Sequence, residues 1–530
     1  MTQGLSVMEK PLSLSSTSRR HLHLRKIIIA SFFGVTVSSL LLFIIFWCTN
    51  LFQNTILSSL VVKNGSPMLE WFIRPPIRAV YKIRIFNYTN VIDYQRGRAK
   101  KLKVQETGPY IYRETLTRVN YTFNSDGSVS FKEKRSYQWE GGSPDDEIVI
   151  VPNVSLLASM ATMRDTPFLA QLAFTGVLST LQSNTFLSLP VNGLLWGYDD
   201  KIFELAKPFI SLNNNIPFDK FGLLAFKNGI SPDVITMKSG INDLNEYSMI
   251  QSINGKKHKK IWNDEKCDKI YGTQGYTFPL KMFQGPNKTL EVYSADMCRT
   301  LYLRNVGTGS SFGIPSLTFK PAEDIFDYSL DSNRCYCPES TPGVESSRIC
   351  PPNGLFNSSA CLFNMPFLTS FPHFYSGDKI LLNNVEGLNP QAELHESHIE
   401  LHPRLGVLIG GASRIQLNIE ARRAIGVPFH GGLDDGQILP LIWIELTIDD
   451  IPEPLLSSLK HGYYTVAAVE TGIQWGSIIA FILSTCGLMH VWRKQKKESA
   501  ALRTINLSNS PQDSAKPHDE SELASVKISS

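Results

Sequence analysis

Four groups of residues in this 530-residue chain are of types and spacings that do chemistry elsewhere. Gly309-Ser310-Ser311-Phe312-Gly313 spells the G-x-S-x-G pattern of a serine nucleophile. That pattern needs a strand before it and a helix after it, so that the hydroxyl stands exposed on a sharp turn. Here Pro315 follows and Ser316–Phe319 reads as a strand, so we read a Gly/Ser turn between strands and assign no catalytic residue. His395-Glu396-Ser397-His398 falls one residue short of a zinc-binding helix, whose histidines lie four apart on one face. On a strand, His398, Glu400 and His402 would share a face, but a solvated face is the preferred reading; no metal and no cofactor is assigned. Lys256-Lys257-His258-Lys259-Lys260 follows an Asn254-Gly255 turn. It suits anionic headgroups at about 1 kcal/mol per cation, although a plain solvated loop is preferred. Cys267, Cys298, Cys335, Cys337, Cys350 and Cys361 are zinc ligands or disulfides; as disulfides they allow fifteen pairings, among which spacing does not choose.

The elements around these residues settle the compartment. Ile27 to Cys48 is an uncharged run of 22 residues and Ile473 to Trp492 one of 20, each long enough for a hydrocarbon core of about 30 Å. A cleaved signal peptide is the alternative for the first, but its apolar stretch is too long and no small-residue cleavage site follows. Arg25-Lys26 precedes the first run, and Arg493-Lys494 and Lys496-Lys497 follow the second, which leaves both termini in the cytosol. The expected organisation is a cytosolic tail at 1–26, spans at 27–48 and 473–492, an external or luminal ectodomain at 49–472, and a disordered tail at 493–530. A luminal loop makes disulfides the preferred chemistry for its six cysteines. It also makes Asn64, Asn87, Asn120, Asn153, Asn287 and Asn357 candidate glycan acceptors, since each begins a sequon.

Within the loop, Tyr81, Ile83 and Ile85 alternate with Lys82 and Arg84, and Ile415, Leu417 and Ile419 with Arg414, Gln416, Asn418 and Glu420. Both predict strands with one apolar and one wet face. Thr166 to Tyr198 carries no charge at all, and Leu169, Leu172, Ala173, Gly176, Val177 and Leu181 recur at helical spacing opposite Gln171, Thr175, Ser179 and Gln182. An amphipathic helix with an uncharged polar face follows, placed either against lipid or a protein partner or within the core. Phe168, Leu169, Leu172, Phe174, Val177 and Leu181 are its candidate ligand-binding residues.

Composition agrees. With 42% hydrophobic and 19% charged residues the chain is neither disordered nor a bundle of membrane helices. Its net +4 resolves into +4 on residues 1–26, +2 on residues 493–530 and −2 on residues 49–472. The basic excess marks cytosolic tails, and nucleic acid is excluded as a partner.

Lys63-Asn64-Gly65, Phe86-Asn87-Tyr88-Thr89-Asn90, Gly108-Pro109-Tyr110, Leu194-Leu195-Trp196-Gly197-Tyr198, Cys298-Arg299, Cys335-Tyr336-Cys337, Pro372-His373-Phe374, Gly387-Leu388-Asn389-Pro390 and Pro440-Leu441-Ile442-Trp443 occur in this order through the loop. With two spans and six loop cysteines, the chain resembles the class B scavenger receptor family. The resemblance implies an α+β, mainly β fold: a large antiparallel barrel-like ectodomain with apical helices at about 153–192 and an internal hydrophobic tunnel. It also implies disulfides Cys267–Cys335, Cys298–Cys361 and Cys337–Cys350 within a 267–361 region. The implied activity is a non-enzymatic receptor for lipids or lipoprotein particles at the plasma membrane, with homo-oligomers left open. It would transfer fatty acid, sterol or carotenoid to the membrane. The alternative is recognition of apoptotic cells, pathogens or a luminal cargo protein without lipid transfer. Relatives that take anionic ligands carry apical lysines, whereas residues 151–195 hold only Arg164 and Asp165. No histidine lies between His23 and His258, and no acidic dileucine closes the tail, so endolysosomal residence is the less favoured location.

Overall fold

A computed structural model describes residues 16–213, 218–285, 288–339, 348–428 and 431–508. The chain divides into two compact units, one of residues 1–52 with 467–530 and one of residues 53–466.

The first unit contains helix α1 (Ser16–Phe43) and most of a long C-terminal helix (Val466–Ser508), both long and apolar enough to cross a membrane. Two polar groups inside the apolar stretches find partners across the pair, as a low-dielectric setting favours. Thr36 Oγ1 bonds Ser484 Oγ at 2.9 Å, and Gln474 Nε2 donates to Phe46 O at 3.0 Å. Phe46 lies in the last turn of a helical segment ending at Cys48, where carbonyls lack intrahelical partners. Arg25 meets Glu498 at 2.6 Å beyond the apolar stretch. The tail expected to be disordered from residue 493 instead continues the helix to Ser508, because Lys-, Glu-, Ala-, Leu- and Arg-rich sequence propagates a helix already nucleated; residues 509–530 lie outside the described residues.

The second unit begins with α2 (Leu51–Ser58) and α3 (Pro67–Ile73) and is built on a 15-stranded sheet. Its centre is β1 (Val80–Tyr88), followed after α4 (Val91–Gln95) by β2 (Leu102–Phe123) and β3 (Ser128–Gly142), an antiparallel meander. Ile83 and Ile85 are fully buried, as their alternation predicts. Gly108 has φ +105°, and a Cβ there would stand 2.8 Å from Ile83 O, so the β1–β2 crossing requires glycine. Beyond β1 come Gln437–Thr447, Leu408–Ala421, His398–Leu401, Ile314–Pro321, Arg299–Ser311 and Thr289–Ser294; beyond β3 come Ile235–Lys238 and Ile250–Ile253. No ladder joins the two end strands among the described residues. The backbone between them bonds both: Ile250 N donates to Gly272 O (2.8 Å) and Thr273 N to Glu291 O (2.9 Å). The barrel-like core is therefore an open path of strands.

One strand departs from the two-faced expectation. On Leu408–Ala421, Gln416 and Asn418 are fully buried, because Phe367–Ser370 pairs alongside and the His373 turn covers that face. Gln416 Oε1 accepts from His373 N (2.7 Å), and Asn418 Nδ2 donates to Leu368 O (3.1 Å) and Ser370 Oγ (3.0 Å). The "wet" side chains are thus a satisfied buried network. Disulfides link Cys267–Cys335, Cys298–Cys361 and Cys337–Cys350.

Candidate lipid-binding cavity

After β3, the hairpin of β4 (Ile148–Pro152) and β5 (Phe186–Pro190) frames three further helices, with α7 (Val191–Trp196) behind them. α5 (Val154–Met163) starts at Asn153, whose side chain accepts from Leu156 N (3.1 Å). α6 (Phe168–Thr180) follows Pro167, and α8 (Lys201–Asn213) completes the cluster. Residues 186–190, expected among the apical helices, form a strand instead, because β4 offers Ile148–Pro152 as a pairing edge.

The first half of α6 is oriented opposite to the sequence pattern. Gln171 is buried: its Nε2 donates to Thr166 O (3.0 Å), and its Oε1 accepts from Gly426 N (2.8 Å). Thr175 Oγ1 donates to Gly426 O (2.6 Å). Gln171 and Thr175 thus face the protein, since the backbone of residues 424–427 lies there with groups needing partners, while Ser179 and Gln182 farther along are exposed. Phe168, Leu169 and Leu172 are turned outward at 59%, 78% and 52% exposure, beside the loop that carries Ile425 at 95%.

The same helix contributes Phe174, Val177, Leu178 and Leu181 to a cavity of about 430 Å³. Ala158, Thr162 and Met163 of α5 line it, as do Ile202, Phe203 and Ala206 of α8, with Phe218, Phe221, Phe363 and Met365. Among the described residues, no lining residue is ionisable. Arg164 on the linking turn is paired with Asp435 at 3.0 Å. Such a chamber suits an alkyl chain or ring system, each buried methylene contributing about 0.8 kcal/mol; an ionised carboxylate inside it would lack a partner. Of the six candidate residues, Phe174, Val177 and Leu181 line the cavity, while Phe168, Leu169 and Leu172 face away from it. α8 and the Phe363–Met365 turn were missed from sequence. Ile202, Phe203 and Ala206 opposite Lys201, Glu204 and Lys207 was a usable helical signal; for Phe363 and Ile425 there was none.

The remaining motifs disperse. Ser311 ends a strand paired with Ile314–Pro321, and its Oγ donates to Ile409 O (3.2 Å). His395 is buried, accepts from Gln391 N and stacks on His373 at 4.4 Å. His402 lies beyond the His398–Leu401 strand, buried, with Nε2 3.2 Å from Leu459 O, so it shares no ligand face with His398 and Glu400. Lys256 and Lys257 are exposed on the hairpin turn. Among the sequons, Asn64 and Asn120 are exposed, and Asn87 Oδ1 accepts from Ile150 N. Asn153 and Asn357 are buried, and Asn153 Nδ2, the atom an N-linked glycan needs, donates to Asn184 O (2.8 Å). Asn287 lies outside the described residues.

The sequence profile of the CD36 family matches residues 29–492. The cattle (Bos taurus) protein named scavenger receptor class B member 1 is 29% identical over 420 residues, covering 78% of this chain and 79% of its own. The rat (Rattus norvegicus) lysosome membrane protein 2 is 29% identical over 454 residues, covering 83% and 88%. The mouse (Mus musculus) lysosome membrane protein 2 is 30% identical over 385 residues, covering 70% and 75%.

Proposed function

The chain belongs to the CD36 family, and on that premise we propose that it is a two-pass membrane receptor that takes up uncharged lipid at the α5–α6–α8 cluster and passes it to the bilayer. The family is one of receptors rather than enzymes. The observation that carries the reading is the cavity of about 430 Å³ lined, among the described residues, without one ionisable side chain. Dragging a sixteen-carbon chain through water costs about 13 kcal/mol, which a covered apolar route through the ectodomain removes. The outward Phe168, Leu169, Leu172 and Ile425 support first contact with a lipid particle or membrane. We place the protein at the plasma membrane, with both termini cytosolic and with glycans on Asn64, Asn87 and Asn120.

The test uses the full-length chain. Lipids extracted from the purified protein are identified by mass spectrometry, and uptake of labelled cholesterol and β-carotene, with palmitate as the charged comparison, is measured in expressing cells. Co-purifying uncharged lipid, with uptake lowered at least about tenfold by Val177→Asp or Leu181→Asp (the scale of burying a charge in an apolar site), is the expected result. No co-purifying lipid and uptake equal to untransfected cells overturns the proposal. A second reading, recognition of a protein or cell surface, rests on the same exposed patch. It takes precedence if Leu172→Asp abolishes partner binding while uptake persists.

A further inference from the structure

Midway through the second unit, four charged side chains point into the interior from neighbouring strands. Glu114 and Arg118 lie on β2, Glu133 and Arg135 on β3, and β-pairing sets Leu116 opposite Arg135 and Arg118 opposite Glu133. Arg135 bonds both acids, Glu114 Oε1 at 3.1 Å and Glu133 Oε2 at 2.6 Å. Tyr81 and Tyr137 donate to Glu114 Oε1 at 3.3 and 3.2 Å, and Gln274 Nε2 donates to Glu133 Oε1 at 2.9 Å. Arg118 Nη1 donates to Phe72 O at 2.6 Å, while its buried Nε has no partner. Burial opposes ionisation of Glu133, yet Arg135 and Arg118 hold its carboxyl below the usual range. Two carboxylates and two guanidiniums make the layer neutral.

Its position matters more than its composition. At one end Tyr81 and Tyr137 belong to the apolar cluster that also holds Phe203 and Phe221, which line the cavity. At the other end the Arg118 guanidinium lies 4.6 Å from the Phe72 ring and 5.1 Å from Phe131. Those rings belong to a second apolar cluster with Leu57, Leu455 and Leu459, on the segments that continue into the terminal helices. The layer therefore touches both apolar clusters, one shared with the cavity and one with the segments next to the terminal helices. Within the layer Glu114, Arg118 and Glu133 are buried, while 23% of the Arg135 side chain remains accessible.

We propose that the Glu114–Arg118–Glu133–Arg135 layer is a second lipid contact, which holds the head of an uncharged lipid whose polar end is a hydroxyl. The inference rests on the reading that lipid traverses the ectodomain. A hydroxyl both donates to a carboxylate and accepts from a guanidinium, so it joins the network without altering its charge. A carboxylate head would add a third buried anion to a balanced set, and a pure hydrocarbon has nothing to offer it.

The test compares cholesterol with squalene, which has no polar group, in transfer by the full-length chain into phosphatidylcholine vesicles. It adds photolabelling with a diazirine-bearing cholesterol. Glu114→Gln/Arg135→Gln keeps the net charge and approximate shape, and Tyr137→Phe removes only one hydroxyl; melting temperature and surface delivery report folding. The expected result is cholesterol transfer lowered about fivefold by the double variant, the scale of one net hydrogen bond, with squalene transfer unchanged and label on peptides spanning 112–118 or 131–137. Equal loss of both lipids in a folded variant, or no loss and no label there, overturns the inference while leaving uptake at the cavity standing. Label at the layer in a chain that transfers neither lipid sustains the second contact and sinks the transfer reading instead.

Discussion

Asn153 shows how one side chain can meet two different demands from its sequence. Its sequon marks it for a glycan, yet its Oδ1 caps α5 and its Nδ2 bonds Asn184 O in a buried setting. Glycopeptide mapping is expected to find Asn64 and Asn120 occupied and Asn153 bare. Asn153→Ala should lower stability by about 1 kcal/mol, the usual loss of an N-cap. Two histidines make a second prediction at this scale. Burial, reinforced by His373, holds His395 down at about 4, and burial does the same to His402. In the unfolded chain both titrate near 6.5, so below that pH the unfolded state takes up protons that the folded state refuses. Stability is therefore full above about pH 6.5 and falls as pH drops towards 4. A melting temperature that declines from pH 7.4 to 4.5, with a shallower decline for His402→Gln, is the expected outcome; an unchanged slope in the variant would refute the assignment to His402.

At the scale of elements, α6 contributes to both the cavity and the outward apolar surface. Gln171 and Thr175 fasten its first half to the Gly426 backbone, and Phe168, Leu169 and Leu172 of the same half face outward. The two sides should respond oppositely. Gln171→Leu leaves the Gly426 N–H and the Thr166 carbonyl without their partner, and should cost about 1–3 kcal/mol, read as faster amide exchange along α6. Leu172→Ser, at an exposed position, should change stability by less than about 0.5 kcal/mol while weakening adsorption to lipid vesicles. Neither orientation was legible beforehand: spacing shows that a helix has two kinds of face, but not which neighbour stands opposite each. The same holds for Gln416 and Asn418, buried because a separate strand, Phe367–Ser370, pairs alongside them.

For the whole molecule, three disulfides constrain residues 267–361. Cys267–Cys335 and Cys298–Cys361 close sequence separations of 68 and 63, and Cys337–Cys350 one of 13. Loop entropy makes either long bridge worth about 4 kcal/mol and the short one about 3. Paired Cys→Ser variants in chemical denaturation should follow that order; a reversal would show that the reduced chain keeps structure in the long loops.

What the amino-acid sequence determined by itself was whatever depends on runs and composition. Two uncharged stretches are long enough to leave water for a bilayer, and six cysteines fall between them; ordered landmarks through the loop pointed to the family whose profile matches residues 29–492. Local alternation likewise placed Ile83 and Ile85 inside. The tertiary structure alone decided which side of α6 meets solvent, and that α8 and the Phe363–Met365 turn close the cavity. It alone brought Glu114, Arg118, Glu133 and Arg135 to one interior layer. The physical reason is the same in each case. Burial of a charge or an amide depends on a partner supplied from far along the chain, and periodicity carries no information about that partner.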